Sequence, residues 1–214
     1  GYDSVASASA NGENGFDPIG DSSTEFTGTF DGNGYTIANL TIDRTGKDNV
    51  GLFGWVGAAG VITNTSLEAA AVSGSSWVGP VVGSNYGTVS ETYAPAAVEG
   101  SQDVGGVVGW NDGTVEDSYG TSTVTGPDSA DDSGTGGLVG ENHDNGQITH
   151  SYTAGNVSAG GGDVGGLVGI NSGSVTDAYW DVNTTGQDTS VGGIGLTTSQ
   201  LKANTSLAFD FTNT

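Results

Sequence analysis

A short block in which two apolar residues are closed by glycine recurs five times in phase and limits what this chain can become. It reads Gly51-Leu52-Phe53-Gly54, Pro80-Val81-Val82-Gly83, Gly106-Val107-Val108-Gly109, Gly137-Leu138-Val139-Gly140 and Gly166-Leu167-Val168-Gly169. The closing glycines step by 29, 26, 31 and 29 residues, as loops of differing length on a constant frame would. A period of this size is the mark of stacked repeats, in which no single unit buries its own apolar face.

Other positions keep phase with the block. Asn85, Asn111, Asn142 and Asn171 each stand two residues after a closing glycine and lead into Gly87, Gly113, Gly146 and Gly173. Asn-x-Gly is turn chemistry, since both residues tolerate positive φ. Next come Val89 with Tyr93, Val115 with Tyr119, Ile148 with Tyr152 and Val175 with Tyr179, each pair four apart. Even spacing places Val115 and Tyr119 on one face of one strand. Val98, Val124 and Val157 follow five residues after three of those tyrosines. Short Val-rich runs bounded by Gly and Asn are strands. With coils stacked about 4.8 Å apart, equivalent residues form a Leu/Val row, a Tyr row, a Val row and a ladder of Asn amides. No 3.6-residue stripe appears, and Gly contributes 40 of 214 residues, so helix is disfavoured.

The expected fold is therefore all-β: a β-solenoid (β-helix) of about five stacked glycine-rich repeats with terminal cap segments. Residues 1–48 read as an N-terminal cap or first coil, 49–181 as the solenoid and 182–214 as a C-terminal exit. In the first segment, Asp31-Gly-Asn-Gly34 between Phe30 and Tyr35 carries a hairpin signal. In the last, Thr198-Ser-Gln-Leu-Lys202 suits a short helical turn. Gly1 and Thr214 fall inside continuing patterns and Met is lacking, which reads as an excised piece of a longer protein.

Twenty-five acidic residues face three basic ones, Arg44, Lys47 and Lys202, for a formal net charge of -22. That balance excludes nucleic acid and anionic membrane as partners, and no apolar run is long enough to cross a bilayer. The absence of Cys removes disulfides, thiolate metal sites and a Cys nucleophile. The Asp-rich, Lys-poor composition resembles proteins of salt-loving archaea.

The repeat block and its flanks resemble the GLUG-motif repeat family of large secreted and cell-surface proteins. The likeness rests on the Gly-Leu-apolar-Gly blocks, on Phe26-Thr-Gly-Thr-Phe-Asp-Gly-Asn-Gly-Tyr-Thr-Ile37 with Asn39-Leu-Thr-Ile42, and on Tyr179-Trp-Asp181 with Gly192-Gly-Ile-Gly-Leu-Thr-Thr198. The resemblance implies a β-helical stalk and brings no catalytic residues. Pro80 departs from the motif, and its corner must lie where no ladder donor is needed.

The expected role is an extracellular, cell-surface structural or adhesive module, a stalk, surface-layer or filament component without catalytic activity. Its expected partners are other surface proteins or copies of itself, and glycans. The alternatives are a β-helix that binds a glycan or receptor, and one that degrades polysaccharide. The enzyme reading would use paired carboxylates such as Glu116-Asp117 or Asp131-Asp132. Against it, no base lies between Lys47 and Lys202 to neutralise a uronate. Ser151, His150 and Asp144 make a triad only on paper, and His143 and His150 read as loop histidines. No cofactor is expected apart from calcium, for which Asp128, Asp131 and Asp132 in the longest insertion are candidate ligands. Asn39, Asn64, Asn156, Asn183 and Asn204 are candidate N-glycosylation positions.

Overall fold

The computed structural model describes residues 12, 14–128 and 132–203, together with the backbone strand Tyr2–Asp3. The chain winds into a parallel β-solenoid. One coil serves for all: strands Val82–Asn85, Thr88–Ser90, Tyr93–Ala94, Ala96–Glu99 and Gln102–Gly105 follow one another around the core, each in a different sheet. Equivalent strands of successive coils pair in parallel and in register, so Val82 sits between Phe53 and Val108 and Val98 between Val72 and Val124. Five sheets of eight, five, six, five and four strands result among the described residues. The expected all-β solenoid of about five coils is therefore the fold observed.

The rows expected from sequence are buried. Val81, Val107, Leu138 and Leu167, the neighbouring Val82, Val108, Val139 and Val168, and the row Ile62, Val89, Val115 and Ile148 are all inaccessible to solvent. Each such side chain is worth roughly 1.5–3 kcal/mol when fully buried. The row residues are larger at both ends. Phe53 replaces valine in the first coil and packs against Phe26 and Phe30 at ring centroids of 4.8 and 5.3 Å. In the last coil Trp180 occupies the inward position held below by Ala94, Gly120 and Thr153. Its indole donates to the Gln187 carbonyl at 3.0 Å. Aromatics thus plug a core that is open at either end.

Two expectations need correction. Asp31-Gly-Asn-Gly34 is a corner and not a hairpin: Thr29–Asp31 and Thr36–Ala38 lie in different sheets and pair with Val61–Thr63 and Ser66–Glu68 of the next coil. In a solenoid the hydrogen-bond partner lies one coil away, which overrides the local turn signal. Val115 and Tyr119 do not share a face, because Asp117 between them turns the chain at φ 46, as Glu91 (49), His150 (42) and Asp177 (48) do in the same column. Val115 faces the core, whereas the tyrosine stands outside and its successor, Gly120, faces inward. At the repeated turn, Gly87 and Gly113 do not use the positive φ that glycine tolerates. They are glycine because a Cβ on Gly87 would lie 2.7 Å from the Gly57 carbonyl oxygen, and one on Gly113 2.7 Å from the Tyr86 carbonyl carbon.

The exit is also built from local chemistry. Asp181 caps the short helix Val182–Thr185 by accepting from the Asn183 N–H at 2.9 Å, and Gly186 ends it at φ 71. The expected turn at Thr198 is the helix Thr198–Ala203, joined to that cap by the Thr198 hydroxyl on Asp181 Oδ2 at 2.7 Å.

Candidate functional site

The polar residues that repeat from coil to coil meet one another rather than a cleft. The Asn amides form the ladder the spacing suggested: Asn85, Asn111 and Asn142 each donate through Nδ2 to Oδ1 of the next, ending on Asn171, at 2.8 Å in every step. The first three are fully buried, so their amides must be satisfied within the protein. Asn85 does this completely, donating also to the carbonyls of Gly87 and Thr114 while accepting from the Gly87 N–H.

A second ladder was missed by the sequence reading. Thr65, Thr92, Ser118 and Ser151 are buried at one corner, and each hydroxyl donates to the carbonyl two residues back. Ser118 and Ser151 also accept the N–H of Thr92 and Ser118 in the coil below. The signal was present: a hydroxyl residue directly precedes Tyr93, Tyr119 and Tyr152. Ser151 is therefore a buried hydroxyl held between the Thr149 carbonyl and the Ser118 N–H. His150 meets Asp117 Oδ1 at 4.0 Å and Asp177 Oδ2 at 3.9 Å, on the outer corner, so the paper triad is not assembled.

Two aromatic ladders run along the outside. Tyr93, Tyr119 and Tyr152 stack at centroid distances of 4.3 and 5.2 Å. Burial raises the Tyr119 phenol above its usual range, with the Tyr93 charge adding, and pushes Tyr152 up to about 12, with Tyr119 and Tyr93 adding. The other ladder alternates between two columns. Trp55, Ser84 and Trp110 are in register, and Tyr86 lies between the two indoles, stacked on Trp55 at 5.0 Å and tilted by 49° against Trp110 at 4.9 Å. His143 continues it, 5.1 Å from Trp110, with Nδ1 on Glu141 Oε1 at 3.1 Å. A pyranose binds an aromatic residue across its ring face, and both faces of Tyr119 are covered by neighbouring rings.

The remaining candidates are scattered. Asp128 and Asp132 are exposed, Asp131 lies outside the described residues, and no cluster of three metal-ligating side chains occurs among the described residues. The described part of the loop therefore does not assemble a calcium ligand set. Asn39 and Asn156 are exposed. Asn64 donates to Asp31 Oδ1 at 3.2 Å, and Asn183 Oδ1 accepts the Thr198 N–H at 3.1 Å. Asn204 lies outside the described residues. A hollow of about 360 Å³ opens at the N-terminal end among Phe16, Phe30, Ile37, Leu40 and Leu52. Asp31 is the one carboxylate in its lining, and it is occupied by the Asn33 N–H and the Asn64 amide. Paired-carboxylate chemistry has no footing there.

One buried ionisable group went unnoticed in the sequence. Asp103 is 1% exposed and accepts the Gly134 N–H at 2.8 Å through Oδ1. Oδ2 has no partner at hydrogen-bond geometry. Burial pushes this carboxyl up to about 6, against the Gly134 hydrogen bond and with help from the Glu141 charge, while the nearby Trp77 side chain opposes the rise.

These features define a parallel β-solenoid whose repeated residues serve coil stacking. No family model matches the chain. Over 85 residues, 39% of the chain, it is 53% identical to Halomucin of Haloquadratum walsbyi, and over 78 residues, 35% of the chain, 41% identical to a protein of Evansella cellulosilytica named as a Gly-rich membrane protein. The matched stretches span 1% and 9% of those two relatives. Among solved structures, a Bacteroides ovatus protein named as an immunoglobulin A1 protease superposes with a TM-score of 0.64 at 21% identity, covering 80% of this chain and 70% of that one. At that identity the likeness shows the fold. No helix among the described residues is long and apolar enough to cross a membrane.

Proposed function

We propose that this solenoid is a non-catalytic structural segment of an extracellular surface protein: a GLUG-type stalk, or a unit of a surface layer or filament. One observation carries the reading. The residue columns that recur from coil to coil, the Asn amides, the corner hydroxyls and the tyrosine rings, face their own equivalents in neighbouring coils. A catalytic or binding site would instead hold unlike groups converging on one place. The names of the two relatives, one a mucin and one a membrane protein, support a surface setting. The acidic exterior keeps such a rod dispersed by charge repulsion.

Antibodies raised against the chain should label intact source cells, and brief protease treatment of those cells should strip the label. In high salt the purified chain should neither bind a glycan array saturably nor depolymerise polysaccharide. Saturable binding lost in Trp110→Ala would establish a binding module. Release of oligosaccharide lost in Asp132→Asn would establish an enzyme. A label confined to broken cells would remove the surface setting.

A further inference from the structure

The tyrosine column has a chemical capacity that neither coil packing nor a spacer role requires. Tyr93, Tyr119 and Tyr152 stand in register on consecutive coils. Their rings face each other with centroids 4.3 and 5.2 Å apart and planes inclined by 25° and 7°. All three are half-buried, reachable from solvent yet held by their neighbours. Facing rings at such spacing bring ring carbons to van der Waals separation, about 3.5–4 Å. The strand ladder beneath keeps them there, and the Tyr93 hydroxyl is further fixed 3.2 Å from Thr121 Oγ1. The chain has no cysteine, so no disulfide joins one coil to the next.

We propose that this column is an oxidative modification site at which a one-electron oxidant joins Tyr93 to Tyr119, and secondarily Tyr119 to Tyr152, as an ortho–ortho biphenol that staples adjacent coils. Each phenol gives one electron to the oxidant and its hydroxyl proton to solvent, leaving a phenoxyl radical with spin on its ortho carbons. Two facing radicals form one carbon–carbon bond between ortho positions. The hydrogens on those two carbons then pass to the phenolic oxygens, restoring both aromatic rings. In sum, two ring C–H bonds break, one C–C bond forms, two protons leave, and two equivalents of oxidant are each reduced by one electron. Within an intact coil stack the partners are already in place, so the reaction needs no collision between molecules. Tyr35, 64% exposed, and Tyr86, set between two indoles, serve as internal comparisons.

The test is to treat the dilute full chain with a light-driven one-electron oxidant, following biphenol fluorescence and mapping cross-linked peptides by mass spectrometry. The expected product is monomeric, lacks two hydrogen atoms, links Tyr93 to Tyr119 and melts at a higher temperature than the untreated chain. Tyr119→Phe keeps the ring stack but should abolish the dominant link and most of the fluorescence, because Tyr93 and Tyr152 are then two coils, about 10 Å, apart, and any remaining link would join Tyr152 to Tyr179, its partner in register. Circular dichroism of that variant confirms that its fold is retained. Tyr35→Phe should leave the yield unchanged. Recovery of the column tyrosines unmodified, or links formed only between molecules through Tyr35, would overturn the proposal.

Discussion

Asp103 and the closing glycines show how tightly individual positions are specified. Asp103 holds its proton more firmly when folded, at about 6, than its ordinary carboxyl value of 3.8. Its contribution is thus fully present below pH about 4 and is lost as pH rises through about 6. Two pKa units correspond to about 3 kcal/mol. Asp103→Asn, which keeps an acceptor for the Gly134 N–H, should gain up to that amount at pH 7. It should also flatten the fall in stability between pH 4 and 6, as measured by denaturant unfolding across pH. The closing glycines are needed for close approach. A Cβ on Gly140 would lie 2.5 Å from the Asp103 carbonyl carbon and 2.6 Å from the Gly109 carbonyl oxygen, with backbone on both sides. Gly140→Ala should therefore cost about 3 kcal/mol or more. Gly46→Ala, with nothing within 4 Å of the new atom, should change the same unfolding midpoint by little.

Strands of two to four residues are too short to stand alone, and the ladders between them supply what length does not. Asn111→Ala would leave Asn142 Oδ1 without its donor and Asn85 Nδ2 without its shortest acceptor, both in a dry interior. The expected cost is about 3 kcal/mol by urea unfolding, with Asn111→Asp no better because it lacks the N–H groups. Much of this element-level order was legible from recurrence alone. A residue that returns every coil must meet itself, so the valine rows and the Asn ladder followed directly. What recurrence could not reveal was direction. The left-handed residue at Asp117 breaks the two-residue alternation, so Tyr119 emerges outside while Val115 stays within. Nor could it distinguish a glycine chosen for dihedral freedom from one chosen for space, as at Gly113, since both read as turn punctuation. The Trp55–Tyr86–Trp110–His143 ladder was hidden for another reason: it switches columns at Ser84, so no single position repeats an aromatic residue.

Across the whole molecule, 25 acids against three bases set a strong self-repulsion. Raising salt from 0.1 to 1 M shortens the screening length from about 10 to about 3 Å. The melting temperature followed by circular dichroism should climb over that range and then level, whereas a fold resting on ion pairs would lose stability. Ion pairs are few among the described residues. Arg44 meets Asp17 at 3.0 Å, and the others involve His143 and His150.

The eight-stranded sheet runs from Tyr2–Asp3 at one extreme to Ile194–Leu196 at the other, so the described chain enters at the bottom of the stack and leaves at the top. Tension along that axis is borne by the hydrogen bonds between coils, which open in turn like a zip instead of shearing together. A coil some 4.8 Å high would pay out roughly 90 Å of extended backbone when it peels away. A tether built this way lengthens in discrete steps under load while its remaining coils keep their registry.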